Sequence, residues 1–152
     1  MEKVFNILNS GKKIELIDYI KEYLRIHPNI EILIGCDSQN RKRETKYAIV
    51  IGLYTPGKGA HVLYSKFEVV RERENIVRLL NEVWHSVEIA ELIKNELGIT
   101  ATWIDIDLNP DPKYRSNAAL SSAVGIVTGM GYHVRHKGDC PMMTYAADSL
   151  VK

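Results

Sequence analysis

The sequence predicts an α/β domain built on a mixed five-stranded sheet with helices on its faces. Three observations carry that expectation. Three apolar, β-branched runs joined by turn residues fill the stretch from Ile30 to Val70. From about Glu72 the apolar residues recur at intervals of three and four, the spacing of a helix. Two further short apolar runs then alternate with helical stretches to the end of the chain. Three hairpin-linked strands followed by alternating helices and strands imply a mixed sheet covered by helices.

The elements follow in the order α, βββ, α-β-α-β-α. Lys12 to His27 reads as an amphipathic helix, because Ile14, Ile17, Ile20 and Leu24 form a stripe bracketed by Gly11 and Pro28. Ile30–Cys36 is a short buried strand ending in Asp37-Ser38-Gln39, and Asn40 to Lys46 is a polar, basic turn. Tyr47–Tyr54 is apolar nearly throughout, as a central strand is, and Pro56-Gly57-Lys58-Gly59 turns the chain into a third strand, His61–Val70. These three runs form an antiparallel meander. A long helix is predicted from about Glu72 to Leu97, with Gly98 as its C′ residue. Thr100–Leu108 is the fourth strand, stopped by Asn109-Pro110-Asp111-Pro112. Ser116 caps a small-residue helix running to about Met130; Tyr132–His136 is the fifth strand, and a short helix from about Met142 to Leu150 closes the chain.

Length and composition bound the function classes. A chain of 152 residues with 45% hydrophobic and 26% charged side chains, no repeat and no linker is expected to be one globular domain, 1–152. No apolar run reaches the ~18 residues of a membrane span, and the opening MEKVFNILNSGKK is not expected to be a secretory signal. Two cysteines, Cys36 and Cys140, make no disulfide framework, so a reducing, cytoplasmic setting is expected. A net charge of +1 means that any nucleic-acid partner is held by a local patch, not by bulk charge.

The chemistry-bearing signal is acidic. Asp37 stands at the carboxyl end of an apolar strand, and Asp107 holds the same position on the fourth. Asp105 and Asp107 alternate with Ile104 and Ile106, so the two acids share a face. Asp148 adds an acid within the apolar stretch of the last helix. A lone strand-end Asp is usually a turn former. Several of them, in neighbouring strands, repel one another at a cost that a divalent cation relieves, and an all-oxygen donor set favours Mg2+ or Mn2+.

In its order and spacing this set resembles the ribonuclease H-like superfamily. Gly35-Cys36-Asp37-Ser38-Gln39 followed by Lys46-Tyr47-Ala48-Ile49-Val50-Ile51 is similar to the superfamily's opening strand pair. Its helix acid is best matched by Ser86-Val87-Glu88-Ile89-Ala90, with Glu82 as the rival; Ile106-Asp107-Leu108 and Ala146-Ala147-Asp148 match the third and fourth acids. More narrowly, the chain resembles a YkuK-type branch of small bacterial proteins, in which a helix such as residues 12–27 is an N-terminal extension of the core. The resemblance implies a metal-dependent nuclease acting on RNA, RNA–DNA hybrid or DNA. It implies catalytic and metal-binding roles for Asp37, Glu88, Asp107 and Asp148, with Asp37 bridging two ions, Glu88 and Asp107 on one and Asp148 on the other. A different class of reading keeps the fold as a nucleic-acid or protein binding module without turnover.

Other residues carry smaller expectations. Arg41, Lys42, Arg43 and Lys46 form a basic hairpin tip, either a solvated turn or a phosphate-backbone contact. His136 precedes the last helix, where the resemblance implies a leaving-step histidine; Asn109 and Ser116 either position substrate or cap their own turns. His133, His136 and Cys140 match no standard zinc spacing, and Cys36 reads as a small core residue.

Overall fold

The structure, a computed structural model, describes residues 3–107, 117–136 and 142–152. The chain opens with two strands that periodicity did not reveal, β1 (Val4–Ile7) and β2 (Lys13–Glu15), paired antiparallel with Phe5 opposite Ile14. Gly11 sits between them at φ 70°, a conformation that glycine adopts without a Cβ penalty. Helix α1 is therefore Leu16–Ile26, not residues 12–27. The sheet takes Lys13–Glu15, and Glu15 caps the helix by accepting from the Asp18 N–H at 2.9 Å and the Lys3 N–H at 3.2 Å.

β3 (Glu31–Arg41), β4 (Glu44–Thr55) and β5 (Gly59–Val70) form the antiparallel meander. The ladder runs to Arg41 opposite Glu44, so the expected long turn over residues 40–46 shrinks to Lys42 and Arg43, with Lys42 at φ 49°. Buried Thr45 carries the polar part of the ladder. Its hydroxyl donates to Asn40 Oδ1 at 2.5 Å and accepts from the Glu72 N–H at 2.8 Å.

α2 (Asn75–Leu97) ends at Gly98, which adopts φ 68° and donates to the Lys94 carbonyl, as a C-terminal glycine cap does. β6 (Trp103–Ile106) then runs parallel to β3, α3 (Asn117–Gly129) returns the chain, β7 (Val134–His136) pairs parallel with β6, and α4 spans Met142–Val151. Among the described residues the sheet has seven strands in the order β2-β1-β5-β4-β3-β6-β7, which corrects the five-stranded expectation. The two additional strands extend the edge beyond β5, and β3 to β7 overlap the five predicted runs.

Alternation along β3 and β4 sorts the core into two layers. Ile32, Ile34, Cys36, Tyr47, Ile49 and Ile51 pack with Leu16 and Ile20 of α1, Val83 and Val87 of α2, and Ala123 and Val127 of α3. Leu33, Ala48 and Val50 pack on the opposite face with Met143, Ala147 and Val151, one stripe of α4. Gly52 lets α4 lie close: a Cβ there would stand 2.7 Å from the Met143 sulfur.

Candidate active site

The register between β3 and β6 brings two acids together. The last parallel pair is Gly35 with Asp105. Two residues further along each chain stand Asp37, still within β3, and Asp107, just beyond the end of β6. Neighbouring strands lie about 4.8 Å apart, so these carboxylates share one end of the sheet. Ser38, the next residue of β3, turns to the other face, where its hydroxyl donates to Glu82 Oε2 of α2 at 3.0 Å. Asp37, Ser38, Gln39, Arg78, Leu79, Glu82 and Asp107 line an open cleft of about 270 Å³, closed on the far side by Val151 and Lys152. Behind Glu82, a recess of about 10 Å³ among Cys36, Leu79, Val83 and Ile106 has about the size of one water.

The cleft is electrostatically expensive. Burial pushes the Glu82 carboxyl well above the ordinary carboxylate range, and the neighbouring charge of Asp37 adds to the shift. The Ser38 hydrogen bond and Arg78 oppose it, and Asp107 raises it further. Arg78 Nη1 donates to Ser38 Oγ at 2.7 Å and to the Ser38 carbonyl at 3.2 Å. The Cys36 thiol, one residue before Asp37, is held well above its ordinary value by burial and then by Glu82 and Asp37, which suits an inert core residue.

The helix acid gathered with Asp37 and Asp107 is Glu82. Glu88, the better match by resemblance, is exposed on α2 and acts on the half-buried His85. Six residues at 100° each turn it away from Glu82 by about 120°. Asp105 is committed elsewhere. Its carboxylate is fully enclosed and accepts from Arg135 Nε at 2.7 Å, Arg135 Nη2 at 2.9 Å and the Met143 N–H at 3.0 Å, tying β6 to β7 and to the start of α4. Asp148 falls on α4, three residues before Val151 of the cleft wall, and its side chain lies outside the described residues. The His136 side chain, Asn109, Ser116 and Cys140 lie outside them too.

The basic tip divides in two. Arg41 Nη2 donates to the Val151 carbonyl at 3.0 Å, so this residue clamps the end of α4. Lys42 and Arg43 are exposed at the turn, which Arg71 braces by donating from Nη1 to the Lys42 carbonyl and from its backbone N–H to the Arg43 carbonyl. Lys46 is half-buried on β4, between Gln39 and Glu68. Ser38 and Arg78 escaped the sequence reading. Their signals were the polar residue directly after Asp37 and an arginine four residues before Glu82 on one helix face.

Asp37, Glu82 and Asp107 offer carboxylate oxygens alone, and the repulsion that burdens Glu82 is the kind a hard divalent cation relieves, so the donor chemistry fits Mg2+ or Mn2+. Among the described residues no three His, Cys, Asp or Glu side chains are grouped closely enough to hold a metal ion as they stand.

The Ribonuclease H-like family model matches residues 15–152. Among solved structures, the chain is similar to the N-terminal RNase H domain of a Mycobacterium tuberculosis protein, solved as a fusion with maltose-binding protein. That match has 15% identity and a TM-score of 0.45, and it covers 81% of this chain and 91% of that one. RNase H1 from the halophilic archaeon Halobacterium salinarum matches at 14% identity and a TM-score of 0.42, over 78% of this chain and 92% of that one. No curated protein sequence matches.

Proposed function

The chain belongs to the Ribonuclease H-like family, and from that premise we propose that it is a metal-dependent nuclease that hydrolyses phosphodiester bonds of RNA, RNA–DNA hybrid or DNA. The observation that carries the proposal is Glu82: a buried carboxylate under the charges of Asp37 and Asp107, in an open cleft where parallel strands end. Such a group lowers stability unless a ligand uses it. Asp37, Glu82 and Asp107 are the proposed Mg2+ or Mn2+ ligands, with Asp148 of α4 as the fourth and Glu82 taking the role first assigned to Glu88. Bound divalent cations supply an activated water and charge stabilisation for the leaving oxygen.

The chain's own side chains do the rest. Ser38 orients Glu82 through Oε2. Leu79, Val83 and Ile106 line the small recess on that carboxylate's inner side together with Asp105 and Asp107. Lys42 and Arg43 at the exposed turn, with Lys46 on the adjoining strand, are proposed to contact phosphate groups and set the strand's path. Among the described residues no helix is long and apolar enough to cross a membrane. The helix that follows the β1–β2 hairpin supports the YkuK-type branch within the family.

Purified protein with Mn2+ and labelled single-stranded, duplex and hybrid substrates tests the activity. Cleavage that survives purification and disappears in Asp107→Asn is the expected result. The second reading, a binding module without turnover, draws on the spacing of the acids, which as they stand do not enclose an ion. It requires binding without cleavage, unchanged by Mn2+ and by Asp107→Asn, and that result would overturn the nuclease.

A further inference from the structure

Arg78 and Glu82 stand four residues apart on α2, and the Ser38 hydroxyl of β3 lies between their head groups. A guanidinium has donors only, so Ser38 Oγ must accept from Arg78 Nη1 at 2.7 Å. The hydroxyl's single hydrogen is then directed to Glu82 Oε2 at 3.0 Å. Arg78 is itself held on both sides: Nη1 also reaches the Ser38 carbonyl at 3.2 Å, and Nη2 donates to Asn75 Oδ1 at 2.6 Å. Its Nε is buried and makes no hydrogen bond. Burying that N–H without a partner costs free energy.

We infer that Arg78 and Ser38 form a positioning relay, in which the arginine orients the serine hydroxyl and the hydroxyl fixes the rotamer of Glu82, leaving Oε1 as the oxygen outside the chain of bonds. This inference rests on the proposed role of Glu82 as a metal ligand. Charge alone predicts no loss in Arg78→Lys, which keeps a cation beside the acids. Orientation predicts loosening, because partners that orient ligands are worth roughly 10- to 100-fold in metal affinity.

Mn2+ titration by calorimetry on wild type, Arg78→Ala, Arg78→Lys, Ser38→Ala, Ser38→Thr and the Ser38→Ala/Arg78→Ala double variant separates the two, with melting as the check on folding. Arg78→Ala and Ser38→Ala are expected to loosen Mn2+ by about tenfold or more. The double variant should match the worse single, since both cut one chain of bonds. Arg78→Lys should not rescue, because an ammonium lacks the fork, whereas Ser38→Thr, which keeps the hydroxyl, should stay near wild type. Tighter binding in Arg78→Ala, a wild-type affinity in Arg78→Lys, or additive losses would overturn the relay. Should Arg78→Ala fail to fold, Arg78→Lys and the two Ser38 variants decide by the same criteria. Should wild type take up no Mn2+, the nuclease reading fails by itself, and melting of the metal-free proteins decides the relay: non-additive losses support it and additive ones overturn it.

Discussion

Asp105→Asn separates the acid that builds the fold from the acids of the cleft. The wild-type carboxylate accepts three hydrogen bonds, two from Arg135 at 2.7 and 2.9 Å and one from the Met143 N–H at 3.0 Å. Asparagine has the same shape but one accepting oxygen. In place of Oδ1 its NH2 faces Arg135 Nε, and in place of Oδ2 it faces both Arg135 Nη2 and the Met143 N–H, all of them donors. One charge-assisted bond is lost, worth about 1.5–3 kcal/mol, and a guanidinium only 16% exposed keeps no counter-charge. Breaking a buried pair in this way costs about 3–5 kcal/mol. Arg135 retains some water and lies 5.7 Å from the centre of the Trp103 ring, which places the expected loss near the lower end, about 3 kcal/mol. For a domain of this size about 3 kcal/mol lowers Tm by roughly 6–12 °C. The assay is thermal melting with and without Mn2+. Asp105→Asn should melt well below wild type and keep its Mn2+ shift, whereas Asp107→Asn should lose that shift. An Asp105→Asn protein that melts with wild type, or that folds normally but ignores Mn2+, would refute the division.

Three more outcomes follow from the same geometry. Glu82→Gln should abolish both the Mn2+ shift and cleavage while Glu88→Gln leaves both intact; the reverse pattern would return the helix ligand to Glu88. The raised Glu82 pKa means that the native state takes up this proton at a higher pH than the unfolded chain does. Its contribution to stability therefore improves as pH falls through the raised value toward the ordinary 4.5, and worsens as pH rises back through it. Metal-free Glu82→Gln should lack that slope, so its advantage in Tm over wild type should grow with pH; a constant difference would show that Glu82 is not strained. Replacing Lys42 and Arg43 by alanine should weaken nucleic-acid binding evenly across sequences and flatten the salt dependence by about one unit per contact, as filter binding at several salt concentrations would show. An unchanged slope would make the tip a solvated turn.

The acid pattern was legible because strand ends announce themselves. Apolar runs that stop in Asp37 and Asp107 locate two carboxylates without any knowledge of pairing, and Gly98 marked the end of α2 through its backbone alone. The first hairpin was not legible. β1 and β2 are four and three residues long, too short for a period to show, and Ile14 and Ile17 extended the helical stripe of α1 backwards into a strand. The burial that separates Glu82 from Glu88 was not legible, because a sequence match weighs neighbouring residue types. Burial on α2 depends on the phase of the helix against the sheet, which places Glu82 with Val83, Ser86 and Val87 on the inner side. Arg78 was unreadable for a related reason: the hydroxyl it donates to belongs to a serine forty residues earlier.

Asp105 and Asp107 show how far alternation reaches as an argument. Two residues apart on one strand, they are equivalent by periodicity, and nothing in their neighbours tells them apart. What distinguishes them is what packs above each. Asp105 lies inside the β3–β6 ladder, under the start of α4 and beside Arg135 of β7, and every hydrogen bond it accepts comes from an element that follows it in the chain. Asp107 lies past the last paired residues, Asp105 opposite Gly35 and Ile106 opposite His136, and lines the cleft together with Glu82. Asp105 serves the fold through Arg135 and the Met143 N–H, while Asp107, two residues on, lines an open cleft with Asp37 and Glu82, and those three acids are the proposed seat of a cation.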